Sequence, residues 1–372
     1  MVDYLAHPAG APNMAVCYGV NSVPRAVNLL AALTVAIGIT VSCAWFSQAD
    51  GPADLTTGLR MTSAAKSFLQ SLDEGQKPAA LMAFDSPERT RWHFIPLQDT
   101  DRKPTRKGLR LEKMNEKQRE LAIQLLKSGT SERGFAEATQ IMSLEAVLNE
   151  MEKGQGNVRS PLWYFVSIFG EPGSSEGWGW RFEGHHLTMN FTLVGDKVTA
   201  TTPCVFCANP AVVRSGKRVG LASLPGSLNK AQILAGSLTA DQLSQAQIKS
   251  LMPEIDQAQI KAPGQPESGV SWTTLNSDQK QMLNDLLREY TGRLPKDLEA
   301  GTWRRVLESQ DETLRFAFAL DDEKPGKPMT YRVSGKGVLV QFLNVQADGE
   351  GIPANHYHTA LRQPAGDFQS RP

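Results

Sequence analysis

Six histidines in 372 residues, four of them in two short motifs, are the part of this sequence best suited to chemistry. Gly184-His185-His186 lies in the middle of the chain and His356-Tyr357-His358 near its end. Neutral imidazole is the commonest protein metal ligand and the usual proton carrier near neutral pH, so concentrating a scarce residue points to a site. In an extended segment His356 and His358 project to one side with Tyr357 opposite, which lets two imidazoles share one ion. By the same rule His185 and His186 point apart, so one joins the ion and the other supports it or meets substrate. The metal ligands expected are thus His356 and His358 with His186 or His185, and Glu183, Glu350 or His93 completing the shell.

Three protein ligands with an open position would make a catalytic centre for a divalent transition metal, whereas four are more often structural. Metal-free acid–base work and ordinary hydrogen-bonded histidines are the competing readings. Glu183, His93 and Arg362 are the candidate catalytic or substrate-holding groups, with Asp367 the nearest carboxylate to orient a ring. Arg362 and Asp367 read as a plain ion pair ahead of an anchor for an anionic substrate. Trp178-Gly179-Trp180 reads as sheet core ahead of a sugar or aromatic pocket.

The elements that must carry these residues alternate helix and strand. Helices are expected over residues 62–72, 78–84, 116–126 and 131–151, with Leu121, Leu125 and Leu126 at helical spacing and Ser131 opening the last. A short strand over 91–96 is closed by Pro96. Strands over 163–169, 178–182, 186–193 and 197–205 form an antiparallel meander, with turns at Glu183-Gly184 and Gly195-Asp196. A helical stretch over 229–251 runs into a proline- and glycine-rich connector, 253–269. Helices over 277–290 and 295–307 and strands over 313–320, 329–333 and 338–345 follow.

That order repeats the first half, and residues repeat with it. Met114-Asn115-x-x-Gln118-Arg119 matches Leu275-Asn276-x-x-Gln279-Lys280, and Trp180 to Phe191 aligns without gaps to Tyr331 to Phe342. The expected fold is α+β in two similar halves, about 85–252 and 270–372, each a helix pair followed by a small antiparallel sheet. His185-His186 in the first half aligns with Lys336-Gly337 in the second, so the turn itself does not demand histidine.

Residues 1–49 differ in character. Arg25 precedes an uncharged apolar run over 26–46, followed by Ser47-Gln48-Ala49, the small-residue pattern of a cleavable export signal. The run is also long enough for an uncleaved anchor, which would attach the protein to a membrane. Both readings place the rest of the chain, 50–372, outside the cytoplasm, periplasmic or secreted. Lys+Arg and Asp+Glu total 39 each, so no basic field favours nucleic acid, and a small-molecule substrate or ligand is expected. No P-loop, dinucleotide fingerprint, G-x-S-x-G elbow or H-E-x-x-H occurs. Cys204 and Cys207 form a C-x-x-C whose β-rich flanks speak against thiol exchange and leave a disulfide, inert thiols or metal binding.

Taken together, Arg91-Trp92-His93 with Pro96, Gln118-Arg119, Ile168-Phe169-Gly170-Glu171-Pro172, Gly184-His185-His186-Leu187, Asn209-Pro210, Leu275-Asn276, and His356-x-His358 with Arg362 and Asp367-Phe368 resemble the family called domain of unknown function 3500. The resemblance spans roughly residues 85–368 and implies an exported protein with a shared histidine-bearing core. Cys207 stands where such proteins carry glycine, which sets the C-x-x-C apart. The expected function is a metal-dependent enzyme, hydrolase or oxidoreductase, with an extracytoplasmic metal- or small-ligand-binding protein as the alternative.

Overall fold

The computed structural model describes residues 56–262 and 268–368. The apolar run over 26–46 and the export signal read from it lie outside the described residues. Among the described residues no helix is long and apolar enough to cross a membrane.

The first half of the chain supplies helices α1 (Thr57–Ser71), α2 (Lys77–Ala80), α3 (Glu116–Ser128) and α4 (Glu132–Met151). Its strands are β1 (Leu81–Met82), β2 (Leu109–Arg110), β3 (Tyr164–Phe169), β4 (Trp178–Gly184), β5 (Leu187–Val194), β6 (Lys197–Ala200) and β7 (Cys204–Phe206). There follow α5 (Pro225–Gly236), α6 (Ala240–Ala246), β8 (Val270–Ser271), α7 (Ser277–Thr291) and α8 (Lys296–Glu308), then β9 (Arg315–Leu320), β10 (Met329–Ser334), β11 (Leu339–Gln346) and β12 (His356–Arg362). Among the described residues the fold is α+β, eight α-helices on one twelve-stranded sheet.

The sheet runs β1-β3-β4-β5-β7-β12-β11-β10-β9-β8, with β2 beside β3 and β6 beside β5. Period-two alternation sorts its residues between two covered faces. Trp178, Trp180, Phe182, Met189, Phe191, Tyr331, Phe342 and Tyr357 meet the helices in one large core. The opposite face carries Arg181, Glu183, Thr188, Asn190, His358 and Arg362, all buried. It is roofed by non-helical chain, from which Trp92, Phe94, Ile255 and Phe368 pack on Val205, Cys207, Leu343 and Ala360.

Helix starts follow local chemistry. Asn115 and Gln118 cap α3 reciprocally, as Asn276 and Gln279 cap α7 and Thr239 and Gln242 cap α6. The capping glutamines reach further. Gln118 Nε2 donates to Ser71 O and Gln76 Nε2 to Lys113 O, both at 2.8 Å, while the two amides bond each other. Gln279 Nε2 donates to Ser237 O and Gln242 Nε2 to Thr274 O, both at 2.8 Å, with the same amide pairing.

Several expected elements take another form. The helix expected over 78–84 ends at Ala80, because Leu81 and Met82 pair in parallel with Ile168 and Phe169 at the sheet edge. Segment 91–96 is extended yet joins no strand; its backbone bonds the Glu183 carboxylate, Gln257, Ala258 and His186 as it crosses the polar face. The helix expected over 229–251 is broken at residues 237–239 and gives way to extended chain after Ala246. The strand expected over 197–205 is interrupted at the cis Thr202–Pro203 bond. The turn expected at Glu183-Gly184 lies two residues later, at His185-His186, since Gly184 still pairs with Leu187.

Candidate metal centre

Two different devices place the histidines. The β4–β5 turn is pinned from three sides: His186 N donates to Phe94 O at 2.7 Å, Cys207 N to His186 O at 2.8 Å, and Tyr164 Oη to His185 O at 2.8 Å. Gly184 lets the Tyr164 ring in, for a Cβ there would lie 2.4 Å from it. His186 takes a left-handed φ of 66°, which turns its ring inward. His356 and His358 come from β12, the centre of the sheet, held between β7 and β11. The preceding loop is fixed by Asp348, which accepts the amides of Glu350 and Ile352 at 2.9 Å and the Asn355 side chain at 2.6 Å.

The three rings converge. His356 Nε2 lies 3.0 Å from His186 Nε2 and 3.0 Å from His358 Nε2. All three residues are buried, and among the described residues no fourth His, Cys, Asp or Glu atom joins the group. Behind His358, Nδ1 faces Glu254 Oε2 at 2.7 Å; behind His356, Nδ1 faces Ala347 O at 3.4 Å. Carboxylate and carbonyl only accept, so each Nδ1 carries the hydrogen, and in the neutral ring each Nε2 presents a lone pair. Two lone pairs facing at 3.0 Å repel one another unless a cation lies between them.

Electrostatics keep His186 and His356 uncharged. Burial, and then the neighbouring His185, His356 and His358, hold His186 well below the ordinary imidazole value. Burial, then His358 and His185, push His356 down to about 2. Burial alone would raise Glu254, yet hydrogen bonds from His358, the Ile255 amide and Gln346 hold that carboxyl low, in the accepting form. Neutral nitrogens with orienting acceptors behind them are what a transition ion requires.

The structure leaves the other expected ligands outside this cluster. The His185 ring lies tilted against His186, ring centroids 3.7 Å apart, but turns its Nδ1 to Glu145 Oε1 at 2.5 Å. Glu183 is clamped on the polar face between Arg106 Nη1 at 3.1 Å and Arg181 Nε at 3.2 Å, and accepts the His93 amide at 2.9 Å. His93 thus meets Glu183 through its backbone. Glu350 bonds Ser215 on the loop. Arg362 and Asp367 form a fully buried ion pair at 2.6 Å, with Arg362 also donating to Gln259 O. The carboxylate that orients a ligand ring is Glu254, from the connector, rather than Asp367. Its only sequence signal is an acid in a stretch without periodicity.

Cys204 and Cys207 are both free and buried, Cys204 in the helix-side core and Cys207 in the opposite cluster. Side chains on opposite faces of a sheet cannot close a disulfide. Burial raises both thiols, Cys204 to about 12, which leaves them inert.

The sequence profile of a family described as "Protein of unknown function (DUF3500)" matches residues 56–370. The chain belongs to that family. In this DUF3500 protein the match takes in the pinned turn, the connector and β12, hence all three converging histidines and Glu254. No curated protein and no solved structure matches the chain.

Proposed function

We propose that His186, His356 and His358 hold a divalent transition metal, and that this DUF3500 protein is an exported metal-dependent enzyme, hydrolase or oxidoreductase. The facing Nε2 lone pairs of His356 and His358 carry the proposal. Nitrogens about 2.0–2.1 Å from a tetrahedral ion sit roughly 3.3 Å apart, close to the 3.0 Å spacing found here. Three protein ligands leave a fourth position for substrate or water, the arrangement of catalytic sites. A bound ion would supply Lewis-acid or redox chemistry there. The protein's own groups hold the neutral tautomers: Glu254 and Ala347 O orient the rings, and Phe94, packed on His358 with centroids 5.1 Å apart, limits water.

Burial supports a second reading, a binding protein without turnover, since only 4% of His186 and 5% of His358 is exposed. Elemental analysis of the protein against a His356→Ala/His358→Ala double variant tests both. One ion per chain, lost in the variant, supports the centre, and its identity chooses hydrolytic or redox chemistry. No ion in either protein, after reconstitution with zinc, copper, iron, manganese and nickel, ends the metal reading. Slow chelator exchange and a lowered melting temperature in the variant favour the non-catalytic form.

The halves also read as a diverged duplication. The mirrored Gln76–Gln118 and Gln242–Gln279 pairs and the matching strand order on either side of β7 and β12 support it. Export through residues 1–49, with membrane attachment through 26–46 where the leader is retained, rests on the sequence pattern.

A further inference from the structure

A pocket of about 500 Å³ opens between α3 and α4, and no residue of the histidine centre borders it. Leu111, Ile123, Met142 and Leu162 give it an apolar lining. The charged residues at its border are Arg119, from α3, and Arg218, from the loop between β7 and α5, and no carboxylate joins them. Small-molecule sites span about 300–1,000 Å³, mostly apolar with a few placed polar groups, and this pocket has that make-up.

Both arginines are half-buried, and the backbone aims them. Arg119 Nε donates to Leu111 O and Arg218 Nη1 to Ser143 O, each at 3.0 Å. Among the described residues neither pairs with a carboxylate, and the Nη groups of Arg119 and the Nε and Nη2 of Arg218 have no protein acceptor. Two uncompensated guanidinium groups, brought from separate parts of the chain to one apolar pocket, suit a carboxylate on an apolar body.

The second half shows which body fits beside such a cation. β2 and β8 are two-residue strands that pair antiparallel with β3 and β9, and each runs into a short 3₁₀ turn, Leu111–Lys113 and Trp272–Thr274. The capping Asn115 and Asn276 follow at the same offset. Leu111 thus corresponds to Trp272, and Arg119 to Lys280. Lys280 Nζ lies 5.6 Å from the Trp272 ring centroid, whereas leucine at 111 offers Arg119 no ring. An aromatic ligand would bring to the first half what Trp272 supplies from within the second.

We propose that this pocket binds a small aromatic carboxylate, its ring against Leu111, Ile123, Met142 and Leu162 and its carboxylate taken by Arg119 and Arg218. The site is separate from the metal centre and does not depend on the metal reading.

The test titrates the full-length protein with naphthoate by calorimetry, beside naphthamide, which keeps the ring and loses the charge, and octanoate, which keeps the charge and loses the ring. Naphthoate is expected to bind at least about tenfold more tightly than either, the scale of one charged hydrogen bond. Arg119→Gln and Arg218→Gln should each weaken it about tenfold or more, and Leu111→Trp, which fills the place of the ring from the chain, should abolish binding. No binding of naphthoate, equal affinity for naphthamide, or wild-type affinity in either arginine variant overturns the proposal. Octanoate binding as tightly as naphthoate, or wild-type affinity in Leu111→Trp, overturns the aromatic occupant. Where circular dichroism shows one arginine variant unfolded, the other decides together with naphthamide.

Discussion

The Nε2 atoms of His356 and His358 face one another at 3.0 Å, while the Nδ1 atom behind each is given an acceptor, Ala347 O for the first and Glu254 for the second. The backbone and a carboxylate thus give both rings an acceptor at Nδ1, and the neutral pair could share a cation between its Nε2 atoms.

Acid should destabilise the metal-free protein through His356. His356 is held at about 2 when folded, against about 6.5 unfolded, so below pH 6.5 the unfolded chain binds a proton that the folded one refuses. Stability is complete above pH 6.5 and falls with pH below it, by up to about 1.4 kcal/mol per unit, or about 2 kcal/mol by pH 5. His356→Gln should flatten the denaturant midpoint between pH 6.5 and 5. An unchanged pH slope in that variant would show that His356 is not the group concerned.

Glu254 should tune the ion without holding up the fold. Its side chain is 40% exposed and bonds His358, Gln346 and the Ile255 amide. Losing such an orienting carboxylate typically weakens metal affinity about 10–100-fold. Glu254→Gln is expected to show that loss in competition with a chromophoric chelator, with its melting temperature unchanged when metal-free. Wild-type affinity would mean that Glu254 does not set the His358 tautomer.

How far this centre could be read from sequence follows from what each residue depends on. His356 and His358 were legible because strand alternation fixes their shared side, and the long helices because capping residues and apolar spacing mark them. Choosing His186 over His185 needs the left-handed φ at the turn, which Tyr164, Phe94 and Cys207 impose from distant parts of the chain. Segment 91–96 has the residues of a strand but spends its backbone bonds on Glu183 and the connector. Glu254 sits 104 positions from His358, in a connector whose lack of periodicity hides that it roofs the site. For Arg362 and Asp367 the sequence favoured the ion pair over an anion anchor, and the structure shows that pair, fully buried.

Glu183 looked catalytic beside a histidine pair, yet its surroundings predict a stability role. Arg106 and Arg181 flank it, and all three side chains are 3% exposed or less. Breaking a buried ion cluster by neutralising one member leaves charge uncompensated and costs about 3–5 kcal/mol. Glu183→Gln should lose that much in chemical denaturation while the folded fraction keeps wild-type metal content. Metal loss at wild-type stability would return Glu183 to the site.

The mirrored amide pairs offer an energetic test of duplication. Gln118 Nε2 satisfies Ser71 O at the end of α1, and Gln279 Nε2 satisfies Ser237 O at the end of α5, each helped by a partner glutamine. Replacing either by alanine leaves a backbone carbonyl and a partner amide without their bond, at about 1–3 kcal/mol. If the halves share one design, Gln118→Ala and Gln279→Ala should cost the same within about 0.5 kcal/mol. The double variant should cost their sum, since the two networks share no partner. Urea denaturation of the three variants measures this. A large cost on one side only would mean that the two networks look alike but do not carry the same share of the fold.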